Sequence, residues 1–181
     1  MSRIKSAWEL ALEKTEGMTF DEEKLKKDSL TKEGMALAGS YLSNIDMTLD
    51  QLKEKLAQVK AEDAPVFRKG MANVVISNIV LPQDALYSMR FERLCQIAGV
   101  LDPASGENLS QLKEFLDGYL EQKEEFANSI KQKLQAALQE NPDQVDPSQF
   151  SEIIQQNLKR LDAQYQETLD RTRATLENTL L

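Results

Sequence analysis

Histidine is absent from this chain of 181 residues. The absence removes the commonest general base, the Ser–His and Cys–His nucleophile pairs, and most transition-metal sites. It also removes the Glu-x-x-His pairs with which ferritin-like helical bundles hold two iron ions. The sequence therefore predicts no catalytic residue, no metal site, no bound cofactor and no enzyme activity.

Cysteine occurs once, as Cys95. One cysteine can form neither an intrachain disulfide nor a cysteine-based zinc cluster. The apolar neighbours Leu94, Ile97 and Ala98 predict an ordinary buried thiol. The N-terminus has no apolar signal core, and no hydrophobic run approaches the length of a membrane span. We therefore expect a cytoplasmic protein without membrane insertion.

Glycine and proline are scarce, with 7 and 5 residues, and aromatic residues make up 6% of the chain. Gly34, Gly39 and Gly70 fall in predicted helices without the Lys-Ser/Thr of a phosphate-binding loop. Acidic residues outnumber basic ones by 30 to 22, which argues against a nucleic-acid partner. No pair stands out among the 30 carboxylates, so carboxylate catalysis is only an alternative.

The most apolar stretch is VFRKGMANVVISNIVL, residues 66–81. As a helix it is apolar around most of its circumference, which is typical of a buried helix. Pro65 suits its first turn, and Pro82 disfavours helical geometry at Leu81. The β-branched residues within 74–81 leave a strand as the alternative. The length of the run and its helical neighbours favour the helix.

Shorter helices flank this central one. Helical spacing predicts a helix over residues 3–15, with the sole tryptophan, Trp8, as a core anchor. A second helix follows from Asp21 to about Asn44, and its glycines could allow close helix contact. Thr48 with Gln51 forms the capping-box pattern that starts a third. Asp84 can cap a fifth, which runs to Gly99.

A polar loop is predicted at residues 102–106, where the charge composition also changes. We place a subdomain boundary there. A helical core subdomain of about five helices takes residues 1–101, and a long hairpin takes residues 102–181. Both belong to one structural domain, whose length is sufficient for a real core.

Two long helices form the hairpin. The first starts at Asn108 or Ser110 and ends near Glu140. The second starts behind Asp146 as N-cap and Pro147 in the first turn. Its apolar positions step by three, four, four, three, four and four residues, which implies straight or slightly right-handed winding. Each helix should reach roughly 50 Å.

The hairpin also supplies the predicted interaction surface, because two helices bury only one stripe on each. Phe115, Leu120 and Leu138 lie beside the seam of the first helix. A protein partner or a second chain could cover the apolar positions, and a symmetric homodimer is the commonest arrangement. The residues predicted for the contact lie on the last helix: Ile153, Leu158, Leu161, Tyr165 and Leu169.

The opening segment SRIKSAWELALEKTEG resembles the N-terminus of a family of small bacterial proteins of similar length and without established function. The LPQD motif after the apolar stretch fits the same resemblance. The resemblance implies a bacterial, soluble, helical protein. It brings no catalytic residues and no mechanism.

The sequence thus predicts an all-α fold, a helical bundle around a central apolar helix with a long C-terminal antiparallel αα-hairpin. The leading function is a non-catalytic interaction protein, such as an adaptor, an assembly factor or a chaperone-like protein. One alternative is a carboxylate-based enzyme or ligand-binding bundle that uses Tyr87, Tyr119 or Tyr165. The other is a structural coiled-coil spacer.

Overall fold

The computed structural model describes residues 22–84, 86–140 and 147–181, and it describes no side chains for residues 147–150. The predicted helix over residues 3–15 and the turn before Pro147 lie outside these ranges. The described residues contain helices and no strand, so the all-α prediction is confirmed. The helices are α1 (Glu22–Ser43), α2 (Leu49–Ala57), α3 (Ala64–Ser77), α4 (Tyr87–Leu101), α5 (Pro103–Glu140) and α6 (Pro147–Leu180).

The central helix, α3, is shorter than the apolar run that predicted it. Pro65 lies in its first turn as expected, but the helix ends at Ser77 instead of Leu81. Asn78 ends it, because its side-chain amide donates to the carbonyl of Val74 at 2.8 Å and competes with helix continuation. Ile79 is nevertheless fully buried. The segment after α3 is therefore neither helix nor strand, yet it contributes to the core.

A glycine on each helix lets α1 and α3 pack with their backbones in contact. A Cβ atom on Gly34 would lie 2.0 Å from the carbonyl oxygen of Phe67, and one on Gly70 would lie 2.1 Å from that of Thr31. The close helix contact that the glycines were expected to allow is thus present at Gly34, between α1 and α3. At Gly39 a Cβ would meet nothing within 4 Å.

Arginines from neighbouring helices cap the C-terminal ends of two helices. Arg93 of α4 donates to the carbonyls of Tyr41, Asn44 and Met47 at 2.7, 2.9 and 2.6 Å, respectively. Arg68 of α3 donates to the carbonyl of Leu101 at 2.5 Å. The carbonyls of Tyr41 and Leu101 lie in the last turns of α1 and α4, where carbonyls have no partner within their own helix. These bonds therefore join helix ends to residues that are distant in sequence.

The prediction of a loop at residues 102–106 is wrong. Only Asp102 is non-helical, and α5 starts at Pro103 rather than at Asn108 or Ser110. The Asp102 carboxylate accepts the backbone N–H and the hydroxyl of Ser105, both at 2.7 Å, and so caps the helix. Gly106 lies against Gly99, where a Cβ on Gly106 would approach the Gly99 Cα to 2.7 Å. The chain turns tightly here, and α4 packs along α5.

The remaining helix starts are close to their predictions. Thr48 caps α2 in a capping box with Gln51, as predicted. Asp84 accepts the N–H of Leu86 at 3.0 Å, but α4 begins later, at Tyr87. The first hairpin helix extends to Glu140 and the last is helical from Pro147, as predicted, and both positions are limits of the described ranges.

The two long helices α5 and α6 pack against each other, and α6 also contacts α3. Arg173 of α6 donates to the carbonyl of Ile79, which ties the hairpin to the end of α3. With 38 and 34 residues, the helices are roughly 57 and 51 Å long at 1.5 Å per residue.

Candidate functional site

A cluster of aromatic side chains joins the two hairpin helices near the middle of α5. The rings of Phe115 and Tyr119 lie 4.5 and 5.1 Å from that of Tyr165 between centroids. The Tyr119 hydroxyl donates to the Asp162 carboxylate at 2.7 Å. Burial is the main cause, and the Asp162 carboxylate the second, of the rise in the pKa of Tyr119 to about 12. Of the three tyrosines considered for a ligand site, Tyr119 and Tyr165 meet here, and both serve helix packing.

Beyond this cluster lies the part that we call the distal hairpin, residues 120–140 and 147–161. Among its described side chains only Ile130 is buried. Leu138 and Ile153 expose 44% and 45% of their surface. The base of the hairpin belongs to the protein core, whereas its distal part is mostly in solvent.

The structure divides the interaction surface predicted on the last helix. Tyr165 and Leu169 are buried in the core of the chain, at 3% and 0% exposure, so they are not accessible to a partner. Leu158 and Leu161 are half-buried, and Ile153 is exposed. These three residues are the accessible part of the predicted surface, and their contact with a partner stays a prediction.

A second face, on α5, is more continuous. Where α5 packs on α4, Gly106 lies against Gly99, Ser110 lies near Cys95, and Asp117 lies near Tyr87, the first residue of α4. Beyond Asp117, residues on the same face of α5 continue at helical spacing. We call this continuation the outer stripe: Leu120, Glu124, Ala127, Lys131, Leu134 and Leu138.

The outer stripe is accessible from Glu124 to Leu138, whereas Leu120 at its start packs against the core. Leu120 and Leu134 are half-buried, and the other four side chains are exposed. Sequence reasoning noticed Leu120 and Leu138 beside the seam and counted Leu134 in the seam itself, so it did not recognise the stripe. Its regular alternation of four- and three-residue steps was the signal that could have found it.

Two open grooves lie between α5 and α6. One of about 420 Å³ is at the base and the other, of about 500 Å³, is in the distal hairpin. Their linings combine apolar side chains such as Phe115 and Phe126 with amides, threonines and two arginines, and no carboxylate lines either. They resemble surface grooves between helices more than enclosed ligand sites.

A smaller cavity of about 190 Å³ lies beside Tyr87. The Tyr87 hydroxyl is buried and, among the residues that the structure describes, has no hydrogen-bond partner. Burial raises its pKa, and the nearby Asp117 adds to the effect. Asp84 and Arg90 line the cavity and form an ion pair at 2.6 Å.

The remaining reactive groups lack a chemical arrangement. Cys95 is half-buried rather than fully buried, and burial raises the pKa of its thiol, which disfavours the reactive thiolate. The carboxyls of Glu23 and Asp102 have lowered pKa values, through Lys27 and Ser105 respectively. Within the described ranges, no group of three or more Cys, Asp and Glu residues could hold a metal ion.

None of the helices in the described part of the chain is both long enough and apolar enough to cross a membrane.

The fold and the exposed distal hairpin define an all-α protein with a long helical hairpin. The chain belongs to a family of unknown function, DUF6657, whose family model matches residues 53–178. The match extends from within α2 almost to the end of α6, and it includes the LPQD motif. The N-terminal segment that carried the predicted resemblance lies outside it. No curated protein and no solved structure matches the chain.

Proposed function

We propose that this protein is a non-catalytic interaction protein that presents its distal hairpin to a protein partner. The proposal is supported by the difference in side-chain burial between the base and the distal part of the hairpin. At its base Leu116, Tyr119 and Leu169 are buried, whereas Ile130 is the only buried side chain among those described in the distal part. Adaptor, assembly and chaperone-like roles all need such a surface.

The two long helices hold apolar side chains of the distal hairpin in contact with water. Full burial of a fully exposed leucine or isoleucine is favourable by roughly 1.5–3 kcal/mol. Leu138 and Ile153 expose 44% and 45% of their surface, so a partner that covers either gains roughly half of that free energy. The distal helices already have their backbone hydrogen bonds in place, which reduces the ordering cost of binding.

Ligand binding is the second candidate, and the unpartnered Tyr87 hydroxyl is the observation that favours it. A small polar ligand could satisfy that hydroxyl. The cavity beside it, at about 190 Å³, is smaller than the roughly 300 Å³ at which ligand sites usually begin. We therefore rank ligand binding below protein interaction, and the coiled-coil spacer below both.

Site-specific photo-crosslinking in the native cell tests the proposal. A photoreactive amino acid replaces Leu138 in one variant and Glu114, an exposed residue on the basal part of α5, in the control. We expect protein adducts at position 138 and few at position 114, because only the first lies on the distal hairpin. Equal adducts at both positions, or none at 138, would contradict the proposal.

A further inference from the structure

We propose that the outer stripe of α5 pairs in antiparallel orientation with the outer stripe of a second copy of this chain. The inference rests on the proposed function and names the partner of the distal hairpin. The contact predicted from the sequence was on α6, where Tyr165 and Leu169 are already buried. The contact proposed here is on α5.

The stripe has the residue spacing of a helix that packs against one partner helix. Its six positions advance by four, three, four, three and four residues, which is the alternation of a two-helix coiled-coil seam. Four of the six are apolar: Leu120, Ala127, Leu134 and Leu138. The stripe covers about 27 Å of helix, and no residue in it is fully buried.

The stripe is also self-complementary when it is reversed about position 129. Leu120 then faces Leu138 of the second copy, and Leu138 faces Leu120, so apolar residues meet at both ends. Glu124 faces Leu134, and Ala127 faces Lys131. A twofold axis at this point therefore matches every position of the stripe with a position of the same stripe, as an isologous contact requires.

Charge selects this orientation. Glu124 lies three residues, about 4.5 Å along the helix axis, from Lys131 of the second copy, within reach of both long side chains. A parallel pairing in register would instead place Glu124 against Glu124 and Lys131 against Lys131. Neither residue has an ion-pair partner within the described part of its own chain. Polar residues in a coiled-coil seam commonly specify register and orientation at some cost in stability.

The neighbouring residues Glu125 and Lys133 provide a matched control. Both are exposed and carry the same charges as Glu124 and Lys131. At 100° per residue each lies on the far side of α5 from the stripe. Reversal of their charges changes the net charge of the chain equally but leaves the proposed contact intact.

Sedimentation equilibrium of the full chain is the test, with circular dichroism to verify that each variant is folded. We expect a concentration-dependent dimer for the unchanged protein. Glu124→Lys makes both charges of the stripe positive, and Lys131→Glu makes both negative, so each variant alone should dimerise at least tenfold more weakly. An equimolar mixture of the two should recover a heterodimer, while Glu125→Lys and Lys133→Glu should dimerise like the unchanged protein.

A monomer at all concentrations, equal effects of the stripe and control variants, or no heterodimer in the mixture would each overturn the inference. The crosslinking at Leu138 separates its failure from that of the proposed function. Adducts with a different protein, from a chain that is monomeric, would retain the interaction role and exclude self-pairing. Adducts between two copies would support both.

Discussion

Two glycine residues illustrate how one atom controls the packing of this protein. Gly34 and Gly70 bring the backbones of α1 and α3 together, and a Cβ on either would overlap a carbonyl oxygen of the other helix. Backbone atoms cannot rotate aside as side chains do, so the helices would have to separate. The contact also permits weak Cα–H···O bonds across the helix pair.

Gly34→Ala and Gly39→Ala should therefore have opposite effects. The first should lower the free energy of unfolding by about 1–3 kcal/mol or more through overpacking. The second should raise it by about 0.5–1 kcal/mol, because alanine is the better helix former and meets no neighbour. Urea unfolding measures both. Destabilisation by both substitutions to the same extent would show that Gly34 has no special contact.

Tyr119 provides a prediction about pH. Its folded-state pKa of about 12 lies above the ordinary 10.0, so the folded protein holds the phenolic proton more tightly than the unfolded chain. The resulting contribution to stability is complete below pH 10 and is lost as pH rises from 10 to 12. Subtracting the ultraviolet tyrosinate titration of Tyr119→Phe from that of the unchanged protein isolates this group.

Asp162→Asn tests the cause of the Tyr119 shift. Removal of the carboxylate should bring the pKa of Tyr119 closer to 10.0, while burial keeps it raised. An unchanged titration in this variant would mean that the carboxylate does not act on the hydroxyl.

At the scale of elements, arginine side chains determine how helix ends meet. Arg93 carries three short bonds to carbonyls around the end of α1 and lies 4.1 Å from the centroid of the Tyr41 ring. Arg173 links α6 to the segment after α3. These contacts are between charged donors and carbonyls, which makes them stronger than neutral hydrogen bonds.

Arg93→Met should lower the free energy of unfolding by about 1.5–3 kcal/mol, because it removes charged hydrogen bonds and leaves carbonyls unpaired. Arg171→Met is the control. Arg171 is 77% exposed and pairs with Glu167 within one helix turn, so the change should stay within about 0.5 kcal/mol. Urea unfolding of both variants checks the difference, and equal losses would contradict it.

The segment after α3 gives a second prediction at this scale. Ile79 is fully buried although it is outside the helix, whereas its neighbour Val80 is 41% exposed. Ile79→Ala should cost about 2–5 kcal/mol through the cavity that it leaves, and Val80→Ala should cost much less. A larger loss of unfolding free energy for Val80→Ala than for Ile79→Ala in urea unfolding would mean that Val80, and not Ile79, is the buried side chain.

At the scale of the whole molecule, the long hairpin helices determine shape. A compact chain of this length has a radius of gyration of about 16 Å, and helices of roughly 50–57 Å exceed the diameter of such a body. We expect small-angle scattering to give a radius several ångströms larger, for the monomer as well as the dimer. The Glu124→Lys variant supplies the monomer for this comparison. A radius near 16 Å would mean that the distal hairpin is folded back.

The amino-acid sequence by itself determined the helices and several of their ends. Two of the signals for these ends were the capping box of Thr48 and Gln51 and the first-turn prolines Pro65 and Pro147. Each is read over a few residues, so no tertiary information is needed. The start of α5 could have been predicted in the same way, because Asp102-Pro103 repeats the Asp-Pro sequence pattern from which the start of the last helix was predicted.

Tertiary structure alone decided which surfaces are used. Gly34 and Gly39 are equivalent in sequence, and only the position of α3 distinguishes them. Tyr165 and Leu169 belong to the same apolar spacing as Leu158, yet the first two are buried because the base of α6 meets α5 and α3, while Leu158 lies in the distal part. Periodicity identifies an apolar face, but its burial depends on helices that are distant in the chain.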